Sequence, residues 1–259
     1  MTGCGAASQV AIVIPAYNEE LRIREVAEDA LRHSANVIVV DDGSVDRTVS
    51  ELEGLPLTLL RHPKRQGKGS ALRTGFAAAL RAGCKGVLTM DGDGQHSAAD
   101  FHALLQAARA HPDAIVIGAR LAHRDRQPAL RRIANDFGDW GIGWACGQRI
   151  ADTQSGQRYY PGSVLEIADL ATEDFVYEAD LLIEASQKLG TRCVSVPIEA
   201  RYAQAGSTAS FRRSHFRPLH DLLRIVTHVA RRLLRQGEAR RYYSEARRSP
   251  VSIYRQGHE

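Results

Sequence analysis

The scarcities of this sequence narrow the field first. No stretch approaches the ~18 uninterrupted apolar residues that read as a membrane-spanning helix, so none is expected. Residues 1–9 are small and polar without a basic start, so they do not read as a secretory leader. Cys4, Cys84, Cys146 and Cys193 stand alone with no paired spacing. That pattern excludes a zinc-finger type of site and a disulfide framework, and it suits the reduced thiols of a cytoplasmic protein. The glycines are equally uninformative as nucleotide motifs. No G-x-G-x-x-G follows the first apolar run, and the G-x-x-x-x-G-K-[ST] spacing is absent, so neither a dinucleotide-binding Rossmann motif nor a P-loop is present. Internal repeats and low-complexity tracts are missing too.

What remains is an ordinary globular composition. The 259 residues are 44% apolar and 25% charged, enough for one α/β domain with a full core. The charge is unevenly spread. Between Arg201 and Glu259 there are 13 arginines, no lysine and 4 acidic residues, a net of +9 that leaves −5 on the rest of a chain whose total is +4. A basic tail on an acidic body calls for an anionic partner: lipid headgroups, a phosphorylated substrate or nucleic acid.

Short apolar runs alternate with helical patterns. Strands are expected at Val10–Ile14, Asn36–Val40, Leu57–Leu60, Val87–Met90, Ala114–Ile117 and Cys193–Ile198. Pro15 should stop the first, and Pro197 points to an edge position for the last. Asn18 is expected to cap a helix reaching Ser34, and Ser44 or Asp46 another from Val45. Further helices are expected from Ser70, over 98–110, across Leu130–Trp144 and from Asp174 to Leu189. The continuous apolar strands predict a mostly parallel sheet covered on both faces, with its polar strand ends along one edge. Arg217–Arg235 reads as a basic amphipathic helix, either packed on the domain or lying on a membrane surface. The chain after Gly237 reads as loosely ordered.

Those strand ends carry the chemistry. Val87–Met90 runs into Asp91-Gly92-Asp93-Gly94-Gln95-His96. Two carboxylates one residue apart repel unless a cation lies between them, and hard oxygen donors suit Mg²⁺ or Mn²⁺, which also accept diphosphate oxygens. Alone, the pair could equally be a solvated acidic turn. Gly67-Lys68-Gly69-Ser70 at a helix start is an anion-accepting turn or a solvated basic one. The Phe137, Trp140 and Trp144 spacing fits core packing or an apolar acceptor groove.

Taken together, I-P-A-Y-N-E-E at 14–20, D-D-G-S-V-D-R-T at 41–48, G-K-G-S-A-L-R-T-G at 67–75, M-D-G-D-G-Q-H at 90–96, G-A-R at 118–120 and D-T-Q-S-G-Q-R at 152–158 resemble the family 2 glycosyltransferases. The likeness covers about 10–202 and is strongest to the branch that makes dolichyl- or polyprenyl-phosphate sugars. It implies the GT-A fold, a nucleotide-sugar donor and metal-dependent inverting transfer to a lipid-linked acceptor. It implies that Pro15, Tyr17 and Glu19 line the base and ribose pocket, with Asp42 on the nucleoside, Asp41 beside it and Lys68 near the nucleotide. Asp91 and Asp93 would hold the metal and Gln95 would complete its shell. Arg120 and Arg131 would meet the acceptor phosphate or the sugar diphosphate, and Arg201, Arg212 or Arg213 could serve the diphosphate. Gln157 stands where the branch often carries Phe.

A phosphate acceptor is already anionic near neutral pH. A hydroxyl acceptor would need a base, for which Asp152 is the candidate; its alternative role is to orient Arg158. Three units are expected: a flexible 1–9, a glycosyltransferase domain over 10–211 and a basic helical tail over 212–259. The expected setting is cytoplasmic, peripheral on the inner face of an anionic membrane. The competing readings are a nucleotidyltransferase, which lacks its glycine-rich first loop here, and a basic-tailed nucleic-acid-binding module, which would leave the strand-end carboxylates idle beside a phosphate backbone.

Overall fold

The computed structural model describes residues 9–94, 97–121, 129–172, 174–198, 224, 226–233 and 238–255. A seven-stranded sheet runs through it in the order β3-β2-β1-β4-β6-β5-β7. The strands are β1 (Val10–Ala16), β2 (Val37–Asp41), β3 (Thr58–Arg61), β4 (Gly86–Thr89), β5 (Ile115–Ala119), β6 (Arg158–Pro161) and β7 (Cys193–Pro197). All neighbours pair in parallel except β6, which lies antiparallel between β4 and β5. The helices are α1 (Ile23–His33), α2 (Lys68–Arg81), α3 (Phe101–Ala110), α4 (Ala129–Cys146), α5 (Gly162–Glu166), α6 (Asp174–Leu189), α7 (226–233) and α8 (Ala239–Arg248).

Alternate residues of the strands other than the largely exposed β3 enter opposite cores. Val13, Val40, Val87 and Ile117 pack with α2, α4, α6 and α7, whereas Ile12, Val39, Leu88 and Val116 pack with α1 and α3. Burial on both faces is why these strands read as continuous apolar runs rather than alternating ones. The chain order reverses between β1 and β4, so their carboxyl ends diverge into a crevice. Open α/β sheets bind ligands at such a switch point.

Several local expectations are corrected. Strand β1 continues one residue past Pro15, because the Ala16 carbonyl still accepts from Asp42 N at 2.8 Å. Asn18 caps no helix. It adopts a left-handed backbone (φ 55°) and its Oδ1 accepts from Val45 N at 2.9 Å, while α1 starts later, at Ile23. Between Ser44 and β3 the only helix is the 3₁₀ turn Ser50–Leu52, because Asp46 and Thr48 spend their side chains on one another and on the 18–20 loop. Strand β6 falls where the sequence reads as the end of a polar loop. Pro197 does mark an edge strand, as β7 ends the sheet order.

The tail meets one of the two readings of its helix and departs from the loose order expected after it. Val229 and Leu233, part of the apolar stripe, are buried in the main core, and Arg232 pairs with Asp180 (2.6 Å) and Glu184. Of the described stripe, Val229 and Leu233 thus pack on the domain, while Ala230 is exposed. The segment after Gly237 is ordered as α8, and Ile253 bridges back to Ser195 of β7.

Candidate active site

The carboxyl ends of β1 and β4, with the amino ends of α2 and α6, enclose a cleft of about 130 Å³. Pro15, Tyr17, Glu19, Asp42, Lys68, Asp91 and Asp93 all line it, although they span the first 93 residues of the sequence. Arg65 and Asp174, which the sequence reading passed over, line it too. The Arg65 guanidinium lies over the Tyr17 ring at 4.6 Å from its centroid, a cation–π pair at the cleft wall.

Lys68 is the electrostatic centre. Its Nζ lies 2.7 Å from Asp91 Oδ1 and 2.9 Å from Glu178 Oε2. Burial pulls its pKa down, but the two carboxylates outweigh that and hold it above the ordinary lysine range, so it is a fixed cation. Glu178, on α6 and buried, carries no motif of its own; it is found only because α6 packs on α2. Gly156 is required by proximity, since a Cβ there would overlap the Asp91 carboxylate. Gly67 meets the same need at Asp174, with a φ of +94° that favours glycine in any case.

Asp42 is buried and organises the basic loop. Oδ1 accepts from His62 Nδ1 at 2.7 Å and Gln66 N at 2.9 Å, and Oδ2 accepts from Gly67 N at 2.7 Å. Asp41 is fully buried and is not among the residues lining the cleft. It accepts from Ser44 N at 3.1 Å and pairs with Arg61 at 3.1 Å. The expected neighbour of the nucleoside therefore shapes the turn that carries Asp42.

A second cluster sits at the end of β5. Asp152 Oδ2 accepts from Arg120 N at 2.8 Å and Nε at 2.7 Å, and Oδ1 accepts from Arg120 Nη2 at 2.7 Å. Burial pushes the Asp152 carboxyl up, yet the Arg120 hydrogen bonds and charge prevail and leave its pKa below the usual value. Asp152 does not orient Arg158. The buried Arg158 guanidinium instead donates to the carbonyls of Ser155 (2.7 Å) and Thr153 (2.6 Å), stapling the 152–157 loop from within. Asp139 of α4 accepts from Asp152 N at 3.1 Å and Thr153 N at 2.8 Å, fixing the same loop from outside.

Among the described residues, the non-glycine positions with positive φ are Asn18 (55°), Asp152 (53°) and Asp174 (51°). Such backbones are sparsely populated, although Asn and Asp tolerate them best. All three border these two clusters, and strain of this kind is held where the surroundings over-determine the chain. Gln95, Arg201, Arg212 and Arg213 fall outside the described residues, and Arg131 lies in the first turn of α4 with its side chain outside them.

The donor set fits a divalent cation. Asp91 and Asp93 supply hard carboxylate oxygens to one cleft, beside a fixed ammonium that complements a diphosphate. Among the described residues no group of three or more His, Cys, Asp or Glu side chains gathers as a metal cage. A two-carboxylate site is the arrangement expected of a cation that completes its shell with substrate oxygens.

The profile of Glycosyl transferase family 2 matches residues 11–166, more than half of the chain. The chain belongs to that family. It is a glycosyltransferase, and its mixed α/β architecture is that of the GT-A enzymes. It is 32% identical over 205 residues to an uncharacterized protein of Methanocaldococcus jannaschii, covering 76% of this chain and 83% of the relative. It is 29% identical over 220 residues to the UDP-N-acetylglucosamine–dolichyl-phosphate N-acetylglucosaminyltransferase of Methanococcus voltae, covering 74% and 86%. Among solved structures, the glucosyl-3-phosphoglycerate synthase of Mycobacterium tuberculosis, in complex with Mn²⁺, UDP and glucosyl-3-phosphoglycerate, superposes with a TM-score of 0.61 at 22% identity, covering 89% of this chain and 80% of that one. That likeness shows the fold. No helix among the described residues is long and apolar enough to cross a membrane.

Proposed function

We propose that this glycosyltransferase moves a sugar from a nucleoside diphosphate sugar, with UDP favoured as the nucleotide, to a polyprenyl phosphate, with inversion at the anomeric carbon. The observation that carries this reading is the convergence of Tyr17, Asp42, Lys68, Asp91 and Asp93 on one cleft at the switch point of the sheet. Asp91, Asp93 and Gln95 would hold Mg²⁺ or Mn²⁺, which would offset the charge of the departing diphosphate. Lys68 serves the same diphosphate and Pro15, Tyr17, Glu19 and Asp42 the nucleoside. The names of the Methanococcus voltae and Mycobacterium tuberculosis proteins support a uridine donor, and the latter also a divalent cation.

The acceptor side is argued from Asp152. A carboxylate whose oxygens are engaged by Arg120, with a depressed pKa, is a poor proton acceptor. That weighs against a hydroxyl nucleophile. A phosphate monoester needs no base: one of its oxygens bonds to the anomeric carbon as the bond to the nucleoside diphosphate breaks, and the diphosphate leaves with the electron pair. Arg120 and Arg131 are the cations assigned to that phosphate, and Arg120 is held in place for it by Asp152. A nucleic-acid module is disfavoured because part of the tail's charge is answered internally, Arg224 by Asp174 and Arg232 by Asp180 and Glu184. Peripheral attachment to an anionic membrane, which would bring enzyme and lipid together, remains part of the proposal.

The test is a thermal-shift series with UDP, GDP and their sugars, each with Mn²⁺, Mg²⁺ or EDTA, followed by transfer assays on undecaprenyl phosphate. A ligand at a hundred times its Kd stabilises by about 2.7 kcal/mol. A metal-dependent shift with uridine nucleotides and transfer to the lipid phosphate are expected. Stabilisation by neither nucleotide class, or transfer only to hydroxyl acceptors, would overturn the reading.

A further inference from the structure

A larger opening lies away from the donor cleft. A groove of about 660 Å³ runs between α4 and α8, bounded by Asp139, Trp140, Trp144, Ala151, Tyr243 and Arg247 among others. Its lining carries an aromatic ladder, with Trp140–Trp144 ring centroids 5.3 Å apart and Trp144–Tyr243 5.2 Å, and Phe137, 5.6 Å from Trp140, continues the ladder outside the lining. Phe137 is 47% exposed, Trp140 49% and Tyr243 38%. The one polar atom of Trp144, Nε1, is already spent on the Ala239 carbonyl at 2.8 Å, so that indole seeks no further polar partner. An open patch of contiguous rings, unlike scattered surface hydrophobes, marks a binding surface.

One end of the groove fixes what it is for. Ala151, in its wall, directly precedes Asp152, which clamps Arg120. Asp139, also in its wall, holds the backbone of Asp152 and Thr153. The groove therefore begins beside the cluster assigned to the acceptor phosphate and leads away from it along α4. The exposed Arg149 and Arg247 stand on the same lining, with Asp136 opposing them.

We propose that this groove takes the hydrocarbon chain of the phosphate-linked lipid acceptor, laid along the Trp140–Trp144–Tyr243 ladder while its phosphate is held at Arg120. This rests on the polyprenyl phosphate reading above. It adds a site, and a reason for chain-length preference, that the donor cleft cannot supply.

The chain's two tryptophans, Trp140 and Trp144, both line the groove, so intrinsic fluorescence reports on it without reference to turnover. Titrating the full chain with farnesyl phosphate should give a saturable blue shift of the tryptophan emission, and inorganic phosphate at the same concentration should give none. Tyr243→Asp keeps both reporters but also removes the Trp144–Tyr243 ring contact that joins α8 to α4, so an unchanged circular dichroism spectrum is required of it. Farnesyl phosphate binding should weaken about tenfold or more, the scale of one lost aromatic contact, a loss that Tyr243→Leu, with apolar area kept, should largely avoid; the Tyr243→Asp protein should bind UDP as the wild type does. In transfer assays the same variant should raise KM for undecaprenyl phosphate while leaving KM for a two-isoprene phosphate near the wild-type value. An emission spectrum indifferent to farnesyl phosphate, or equal effects on short and long acceptors, would overturn the groove and leave the transfer reading standing. A blue shift that instead tracks protein concentration without lipid would assign the face to a second copy and overturn it as well. Saturable farnesyl phosphate binding in a protein that transfers sugar to no prenyl phosphate would uphold the groove and sink the transfer reading.

Discussion

The cleft at β1 and β4 and the groove between α4 and α8 differ both in what lines them and in how the chain assembles them. The cleft is polar. Lys68 holds Asp91 and Glu178 at 2.7–2.9 Å, and the lining residues come from short motifs at strand ends and helix starts. The groove sets an aromatic ladder among the charged side chains of Asp136, Asp139, Arg149 and Arg247, and is made chiefly by two helices about a hundred residues apart in sequence, Trp144 donating to Ala239 across that gap. The difference separates two tasks. Charge that must be met as a bond breaks is fixed in advance by interlocked hydrogen bonds, because any reorganisation would be charged to the reaction. An apolar chain needs only area, and rings that tilt against each other provide it without exact geometry.

The largest effect should come from the polar side. Asp93→Ala should lower turnover by about 1000-fold, the upper range for losing one group that meets developing charge, with the circular dichroism spectrum unchanged. Activity near wild type would remove the metal role from Asp93. Lys68→Met tests whether the cleft is held together by its cation. It leaves Asp91 and Glu178 facing each other, and should cost about 3 kcal/mol in urea unfolding; that is the low end for breaking a buried pair, because the lysine side chain is 19% exposed. A smaller loss would mean that the two carboxylates relax into solvent.

A third experiment moves from the cleft to the tail. Asp180 is pushed up by burial, but His228 and Arg232 prevail and lower its pKa. A carboxyl whose folded pKa is lowered lends stability that is complete above its unfolded value and is lost as pH falls through the folded one. The urea midpoint should therefore fall on acidification, from the ordinary carboxylate range downward, more steeply in wild type than in Asp180→Asn. Parallel curves would show that α7 is held by its apolar contacts alone. The smallest effect belongs to the groove's rim. Arg247→Gln should weaken attachment to anionic vesicles by about 1 kcal/mol and leave the donor thermal shift intact; an unchanged partition would place the membrane contact elsewhere.

This contrast also explains what the sequence revealed. The cleft was legible because β1, β2 and β4 are buried on both faces, so each reads as an apolar run whose end is announced by Asn18, Asp42 or Asp91. Glu178 was not, because only the packing of α6 on α2 brings it to Lys68. Strand β6 was hidden by its own composition: Arg158-Tyr159-Tyr160-Pro161 has a charge and a proline, and the charge is tolerated only because the carbonyls of Ser155 and Thr153 receive it. Helix α8 reads as solvated because Ala246 is its single buried residue. Its attachment relies on ring contacts with α4 that no local periodicity encodes. Phe137 and Trp140 were open to two readings by spacing; the exposure of both speaks against the core, and Trp140 lines the groove.

The return of the chain to β7 carries a consequence of another kind. Ser195 N donates to the Ser252 carbonyl at 2.8 Å and Tyr254 N to the Ser195 carbonyl at 2.9 Å, on the side of β7 that faces no other strand. An uncovered strand edge is a template for a neighbouring molecule's backbone. Here residues 252–254 of the same chain occupy that template, with Pro197 blunting the rest. A chain shortened to shed its arginines would thus lose more than charge. It would unmask a row of backbone donors and acceptors on an already buried, apolar strand, and give its molecules an edge by which to stack.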